Sequence, residues 1–328
     1  MTGFLLSLAA GILPMVLYAW FLFFLDRYEK EPLKLLVGTF LWGSLIAAGG
    51  AFAINSISSL GILFLTQSEL AAQLAISALI APVVEETLKG SAVLIVFLLF
   101  KPEFDSPLDG IIYAGIVALG FAATENIWYI HQLGYLQNGL AGLKEMAFIR
   151  VFLVGWQHPF YTAFTGYGFG LARGAREPIL RWIFPILGWT FAVIFHLIHN
   201  LFAFMTANSG SSGLLNTLWD WSGYLGLLVL ILLLIAREKR WMREHLESER
   251  SAHLLSAAQF EIACSARKQS LAYIHAFFRG DFRETRSYYQ LCGDLMHKKR
   301  QLIHHGDDPA TASEIQRLRS AIGNYHRN

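Results

Sequence analysis

Ten residues, Ala81-Pro82-Val83-Val84-Glu85-Glu86-Thr87-Leu88-Lys89-Gly90, limit what this chain can become. They set two adjacent carboxylates and an ammonium inside a run, from Leu70 to Phe100, that otherwise reads as membrane-spanning helix. An ionised side chain at the bilayer centre costs roughly 2.5 to 3.5 kcal/mol on the insertion scale. Three without partners would cost on the order of 10 kcal/mol, as much as the whole stability of an ordinary domain. Such a cluster must be paired inside a helix bundle or line a wet cavity. Either way the bundle is built round it.

Composition places the chain in a membrane. It is 55% hydrophobic and 15% charged, with a mean hydropathy of +0.44, against about 25% charged in a soluble domain. Residues 1–236 hold 10 lysines and arginines and 13 acids, whereas 237–328 hold 16 and 11. That asymmetry divides the chain into a transmembrane domain, 1–236, and a basic tail, 237–328. Cys264 and Cys292 both lie in the tail, too few for a disulfide framework and suited to a reducing compartment.

The expected fold is all-α, a polytopic bundle of about seven transmembrane helices. The apolar runs are 1–25, 33–54, 70–100, 108–131, 147–172, 180–206 and 214–236. Residues 55–69 read as a loop or interfacial segment, and 132–146 as a loop. Gly166-Tyr167-Gly168-Phe169-Gly170 falls within a span, where glycine signals close helix packing rather than a nucleotide loop. The turns 26–34, 101–106 and 173–181 together carry seven basic residues, while 55–69, 132–146 and 207–213 carry only Lys144. By the positive-inside rule the N-terminus is outside and the C-terminus cytoplasmic. The tail then reads as cytoplasmic helices, one over Ala252 to Phe278 and another, after Gly280-Asp281, through about Ile303. Its basic cluster His297-Lys298-Lys299-Arg300 suits anionic headgroups or a solvated face, and nucleic acid is not an expected partner.

At 1.5 Å per residue, Glu85, Glu86 and His158 fall near the middle of their spans, with His196 about 5 Å toward the outside. Glu125, roughly 8 to 10 Å outward, shares the outer half with Asn126 and Asn200. Intervals of four residues put Glu85 with Lys89, Phe121 with Glu125, His158 with Thr162, and His196 with Asn200 on common helix faces. His199, 60° round the helix from His196, reads as packing or as support for the site.

In order along the chain, Asp26-Arg27-Tyr28-Glu29-Lys30-Glu31-Pro32, Glu85-Glu86-x-x-Lys89, Phe121-x-x-x-Glu125-Asn126, His158 and His196-x-x-x-Asn200 resemble the motifs of the PrsW family of intramembrane proteases, relatives of the CAAX prenyl endoproteases and bacteriocin-processing membrane proteins. The resemblance covers most of residues 15–205. It implies an integral protein of the bacterial plasma membrane that cleaves membrane-embedded substrates, a sigma-factor inhibitor among them. CAAX enzymes end the second motif in histidine; Glu125 follows the PrsW variant.

The residues themselves suit peptide hydrolysis, which needs an activated water, a stabilised oxyanion and a protonated leaving amine. Either Glu85 or Glu86 serves as the base, with Lys89 compensating the charge. His158 and His196 bind a metal or position water, Glu125 is a further ligand or proton carrier, and Asn200 donates to the oxyanion, with Asn126 in support. Glu86, His158 and His196 form a candidate zinc set, though without a His-Glu-x-x-His motif, so metal-assisted and metal-free mechanisms both stay open. Membrane lipids and a single-span or membrane-associated protein are the expected partners. An aspartyl mechanism is set aside because Asp109 is the one aspartate read as intramembrane. A proton-coupled transporter would also use buried Glu, Lys and His, but no internal repeat supports it; a non-catalytic scaffold is the third class.

Overall fold

Apolar residues repeat along most of the first two thirds of the chain, and among the described residues every regular element is a helix. A computed structural model describes residues 1–209, 213–305 and 309–325; residues 210–212, in the turn expected between the sixth and seventh spans, lie outside it. By length and composition, five helical stretches can cross a membrane: Thr2–Leu25, Leu33–Thr66, Pro107–Gly174, Leu180–Ala207 and Gly213–Ser251. The helix carrying Glu85, Glu86 and Lys89 is not among them, since its 19 residues include those three charges. Pro107–Gly174, at 68 residues, is far longer than the ~20 that one crossing takes.

The elements follow from local chemistry. Helix α1 is Thr2–Leu25. Helix α2, Leu33–Thr66, runs through most of the 55–69 stretch expected to be a loop or interfacial segment and stops where Gln67 takes a left-handed conformation (φ 52°). Ser68 caps the short α3, Glu69–Ala75, accepting a hydrogen bond from the Ala71 amide. A wide turn of π type, Ile76–Ile80, leads into α4, Ala81–Leu99. Helix α5, Pro107–Tyr129, begins with proline at its first position and a reciprocal cap between Ser106 and Asp109. Asp109 is thereby spent on helix initiation.

The expected loop 132–146 is helical instead, with a wide turn at Ile130–Tyr135 and α6, Leu136–Ala147, bent at Asn138 and Gly139. The expected fifth span is broken. A wide turn, Phe148–Leu153, ends at non-helical Val154, and α7, Gln157–Gly174, starts after Trp156. His158 therefore sits in the first turn of a helix rather than midway along one. Helix α8 is Leu180–Ser209 and α9 is Gly213–Ser251.

The chain divides into two compact units, residues 1–25 with 31–230, and residues 26–30 with 231–328. In the first, α5 is the central helix. Every residue from Pro107 to Ala123 is buried, and α5 packs against α1, α2, α4 and α7. Small residues permit this. A Cβ on Gly110 would lie 2.0 Å from the Gly166 carbonyl oxygen, and one on Gly166 would lie 1.9 Å from that of Gly110. The glycine run of α7 is thus a packing surface, as its position in an apolar span implies.

In the second unit the single tail helix expected over 252–278 is two, α10 (Ala257–Ala263) and α11 (Ala266–Arg279), because Ser256 and Ser265 each cap a new start. Gly280 (φ 89°) ends α11, and α12 (Phe282–His305) and α13 (Pro309–Asn324) complete the unit. Its core of Met242, Leu246, Phe260, Cys292, Leu295 and Leu318 takes in Tyr28 from the charged turn. The backbone of that turn reaches α12 because position 293 is glycine, where a Cβ would meet the Tyr28 carbonyl oxygen at 2.1 Å. Three of the four residues at 297–300 are turned inward, where the sequence suggested headgroups or a solvated face. His297 pairs with Glu29 at 3.1 Å, Lys299 with Glu249 at 2.7 Å, and Arg300 lies over the Trp241 ring.

Backbone atoms, which cannot swing aside, face the Gly110 position. Gly110→Ala is expected to destabilise the protein by about 1–3 kcal/mol, seen as a lower melting temperature in detergent. Gly61→Ala, with nothing within 4 Å of its Cβ, does not lower the melting temperature and, inside a helix, raises it slightly.

Candidate active site

Helices α4, α5, α7 and α8 bring Glu85, Glu86, Lys89, Glu125, His158 and His196 into one hydrogen-bonded cluster within the first unit. Lys89 is its hub and has no exposed surface. Its Nζ donates to Glu86 Oε1 at 2.8 Å and to His158 Nδ1 at 3.1 Å, lies 3.6 Å from Glu85 Oε2, and sits over the Phe121 ring at 4.1 Å. The i, i+3 and i, i+4 spacings on α4 deliver both glutamates to this lysine.

An ammonium can only donate, and that assigns the protons around it. His158 Nδ1 accepts from Lys89, so Nε2 carries the hydrogen and donates to Glu125 Oε2 at 2.8 Å. His196 Nδ1, 3.0 Å from Glu86 Oε1, donates to that carboxylate. His196 Nε2 is left with a free lone pair, 3.8 Å from Glu85 Oε2.

The two glutamates differ. Glu86 has both oxygens engaged, since Thr162 also donates to Oε2 at 2.8 Å. Glu85 Oε2 is buried and has no hydrogen-bond partner. The ligand set expected from sequence holds Glu86, His158 and His196; the set whose ligand atoms lie within 4.8 Å of one another is Glu85, His158 and His196.

Three further residues join the site that sequence reasoning passed over. Arg150, in the wide turn before α7, pairs with Glu125 and donates from Nε to Asn126 Oδ1 at 2.9 Å. Gln157 lies against His158, its amide 3.3 Å from Nε2. Asp220 of α9, fully buried, binds His199 Nδ1 at 2.9 Å and accepts from the Tyr161 hydroxyl at 3.3 Å, while Tyr161 stacks on His196 with ring centroids 4.9 Å apart. The signal for two of them was a charge in an apolar run, Phe148-Ile149-Arg150-Val151 and Trp219-Asp220-Trp221. Asp109 is therefore not the one buried aspartate. Asp109 caps α5 and Asp220 braces His199, so they form no catalytic pair. Asn200 commits an amide hydrogen to the Ser77 carbonyl at 2.7 Å, tying α8 to the wide turn before α4.

Among the described residues, Glu85, Glu86 and Glu125 pair with Lys89 and Arg150 as their fixed cations. The cluster thus leaves one negative charge for a proton or a bound cation to balance.

Residues 31–237, a stretch that includes the whole cluster, match the PrsW family of intramembrane metalloproteases. The chain belongs to that family. Relatives named Protease PrsW include one from Geobacillus kaustophilus (strain HTA426), 33% identical over 168 residues, which are 51% of this chain and 67% of the relative. One from Bacillus subtilis (strain 168) is 26% identical over 192 residues, 54% of this chain and 73% of its own. A third, from Oceanobacillus iheyensis, is 30% identical over 169 residues, 51% and 69% of the two chains. No solved structure matches. This PrsW-family member is thus an integral membrane peptidase, and the transporter and scaffold readings give way to a hydrolase.

Removing Lys89 would leave Glu86 buried without its cation. Lys89→Met is expected to cost about 3 to 5 kcal/mol of stability, read as loss of folded protein in detergent and a lower melting temperature. An unchanged melting temperature would show that the ammonium is not what stabilises the cluster.

Proposed function

We propose that the Glu85 cluster is the active site of an intramembrane endopeptidase that cuts membrane-embedded or membrane-proximal bonds in a single-span protein. One observation carries this reading: Glu85 Oε2, buried, 3.6 Å from the Lys89 ammonium and accepting no hydrogen bond, faces the free Nε2 of His196 at 3.8 Å inside the segment matched by the PrsW family. Both atoms are acceptors. A water donating one hydrogen to each keeps its oxygen lone pairs for the carbonyl carbon of the peptide.

Glu85 acts as the general base. As the water attacks, Glu85 takes its proton, and when the C–N bond breaks it returns that proton to the leaving amine. Glu86 holds His196 in the tautomer that leaves Nε2 open, and Tyr161 stacked on the ring keeps its plane fixed. Lys89 and Arg150 hold the cluster's remaining carboxylates and His158 in place.

The same donors fit a divalent metal such as zinc. Glu85 offers a buried oxygen that accepts no hydrogen bond, His196 an open nitrogen, and Glu86 behind His196 is the kind of carboxylate that orients metal-bound histidines. Glu85, His158 and His196 would hold the ion, with His158 releasing Lys89 or Glu125. When bound, such an ion acidifies its water and polarises a carbonyl.

Seven spans are the best account of the topology, with α4 as the charged third and Pro107–Gly174 holding two. The N-terminus is then outside. Residues 1–236 form the protease domain and 237–328 a cytoplasmic tail, in a bacterial plasma membrane.

Glu85→Gln keeps shape and removes the base, so cleavage of a single-span substrate should fall by about 10²–10⁴-fold while the protein accumulates normally. His196→Ala should also lower any zinc found by elemental analysis. Near-normal cleavage by Glu85→Gln ends the assignment of the base. For topology, Gln67→Cys should react with an impermeant thiol reagent in intact cells, and Glu177→Cys only after the membrane is opened; both positions are exposed. The native thiols stay silent because burial pushes Cys264 up to about 12 and raises Cys292 as well. The reverse labelling pattern would invert the orientation.

A further inference from the structure

We propose that Asn126 and Gln157 supply the N–H donors for the scissile carbonyl oxygen as it becomes an oxyanion, in place of Asn200. The inference rests on the reading of the Glu85 cluster as a peptidase site.

It starts from Lys89. Because the ammonium donates to His158 Nδ1, the His158 Nε2 position carries hydrogen and points it at Glu125. The Gln157 amide, 3.3 Å from that same nitrogen, therefore finds no lone pair there, and the end beside His158 is assigned as its oxygen, next to the hydrogen that Glu125 accepts. Its NH₂ then fills the other end of the amide, a buried position with no partner. Asn126 reaches the same condition by another route. Arg150 Nε, also only a donor, lies 2.9 Å from Asn126 Oδ1, which fixes the amide's orientation. Asn126 Nδ2 is buried and unpartnered.

The two orphaned amides flank one bonded pair. Asn126 follows Glu125 in the chain, Gln157 precedes His158, and Glu125 Oε2 lies 2.8 Å from His158 Nε2. Asn126 is 1% and Gln157 3% exposed, so water does not compete freely for them. A buried donor with nothing to bind is unfavourable in the resting protein. It becomes useful when an adjacent oxygen gains charge in the transition state, because a dry, preoriented N–H then needs no reorganisation. Asn200 differs: one amide hydrogen is already held by the Ser77 carbonyl, which suits a helix tie.

The test uses purified full-length protein and a single-span substrate. Asn126→Asp and Gln157→Glu exchange NH₂ for oxygen at nearly constant shape, and each should lower kcat by about 10²–10³-fold with KM retained, whatever the added buried charge does to the melting temperature. Asn126→Leu and Gln157→Met, which add no charge, should show the same loss. The double variant should fall little further, since donors to one oxygen act as a unit. For Asn200→Leu the expected primary change is in melting temperature. Lower melting temperatures with kcat retained at 126 and 157 would overturn the proposal, showing that these amides serve the fold or a buried water. A kcat loss at Asn200 with an unchanged melting temperature would return the role to Asn200. Cleavage that survives Glu85→Gln would instead sink the reading on which the inference rests.

Discussion

Lys89 and the carboxylates around it are the interaction on which the membrane unit depends. In a low-dielectric interior an unpaired ammonium or carboxylate is severely penalised, whereas one that is paired and hydrogen-bonded is tolerated. Lys89 meets this condition only through groups on two helices, Glu86 on its own and His158 on α7. Glu86 in turn requires Thr162 of α7 and His196 of α8. Satisfying one buried cation thus brings three helices into register.

Packing then makes that register possible. The close approach of α5 to α7 at Gly110 and Gly166 allows Glu125, on α5, to reach His158 in the first turn of α7. The break at Val154–Trp156 matters equally, because it begins a new helix at Gln157 and separates that helix from the wide turn carrying Arg150. Wide turns recur beside the candidate site here: one carries Arg150, and another, before α4, exposes the Ser77 carbonyl to Asn200. This agrees with the frequent placement of π-type turns at functional sites.

The network also separates groups that are alike in sequence. Glu85 and Glu86 are adjacent and chemically identical, yet one has both oxygens hydrogen-bonded and the other has an oxygen that accepts no hydrogen bond. Asn126 and Asn200 carry the same amide, yet one is tied to a backbone carbonyl and the other keeps its NH₂ unused. Position in a donor-acceptor chain, not residue type, divides supporting residues from available ones.

Periodicity and charge in the sequence were enough to determine an all-helical membrane protein and most of the residues that meet at its centre, while the ordered motifs carried the resemblance to the family. A charge in an apolar run is costly wherever the run folds, so Glu85, Glu86 and Lys89 announce a site without any coordinates. The spacing of four along each helix likewise follows from 3.6 residues per turn. Arg150 and Asp220 carried the same signal but lay near expected span ends, where a charge is cheap and uninformative. Tertiary structure alone decided which glutamate is free, which histidine nitrogen is open, that Gln157 belongs to the site, and that the tail's basic cluster pairs inward. Those outcomes depend on partners more than twenty residues away in sequence, or on a proton's location set by a neighbouring donor. One-dimensional spacing contains neither.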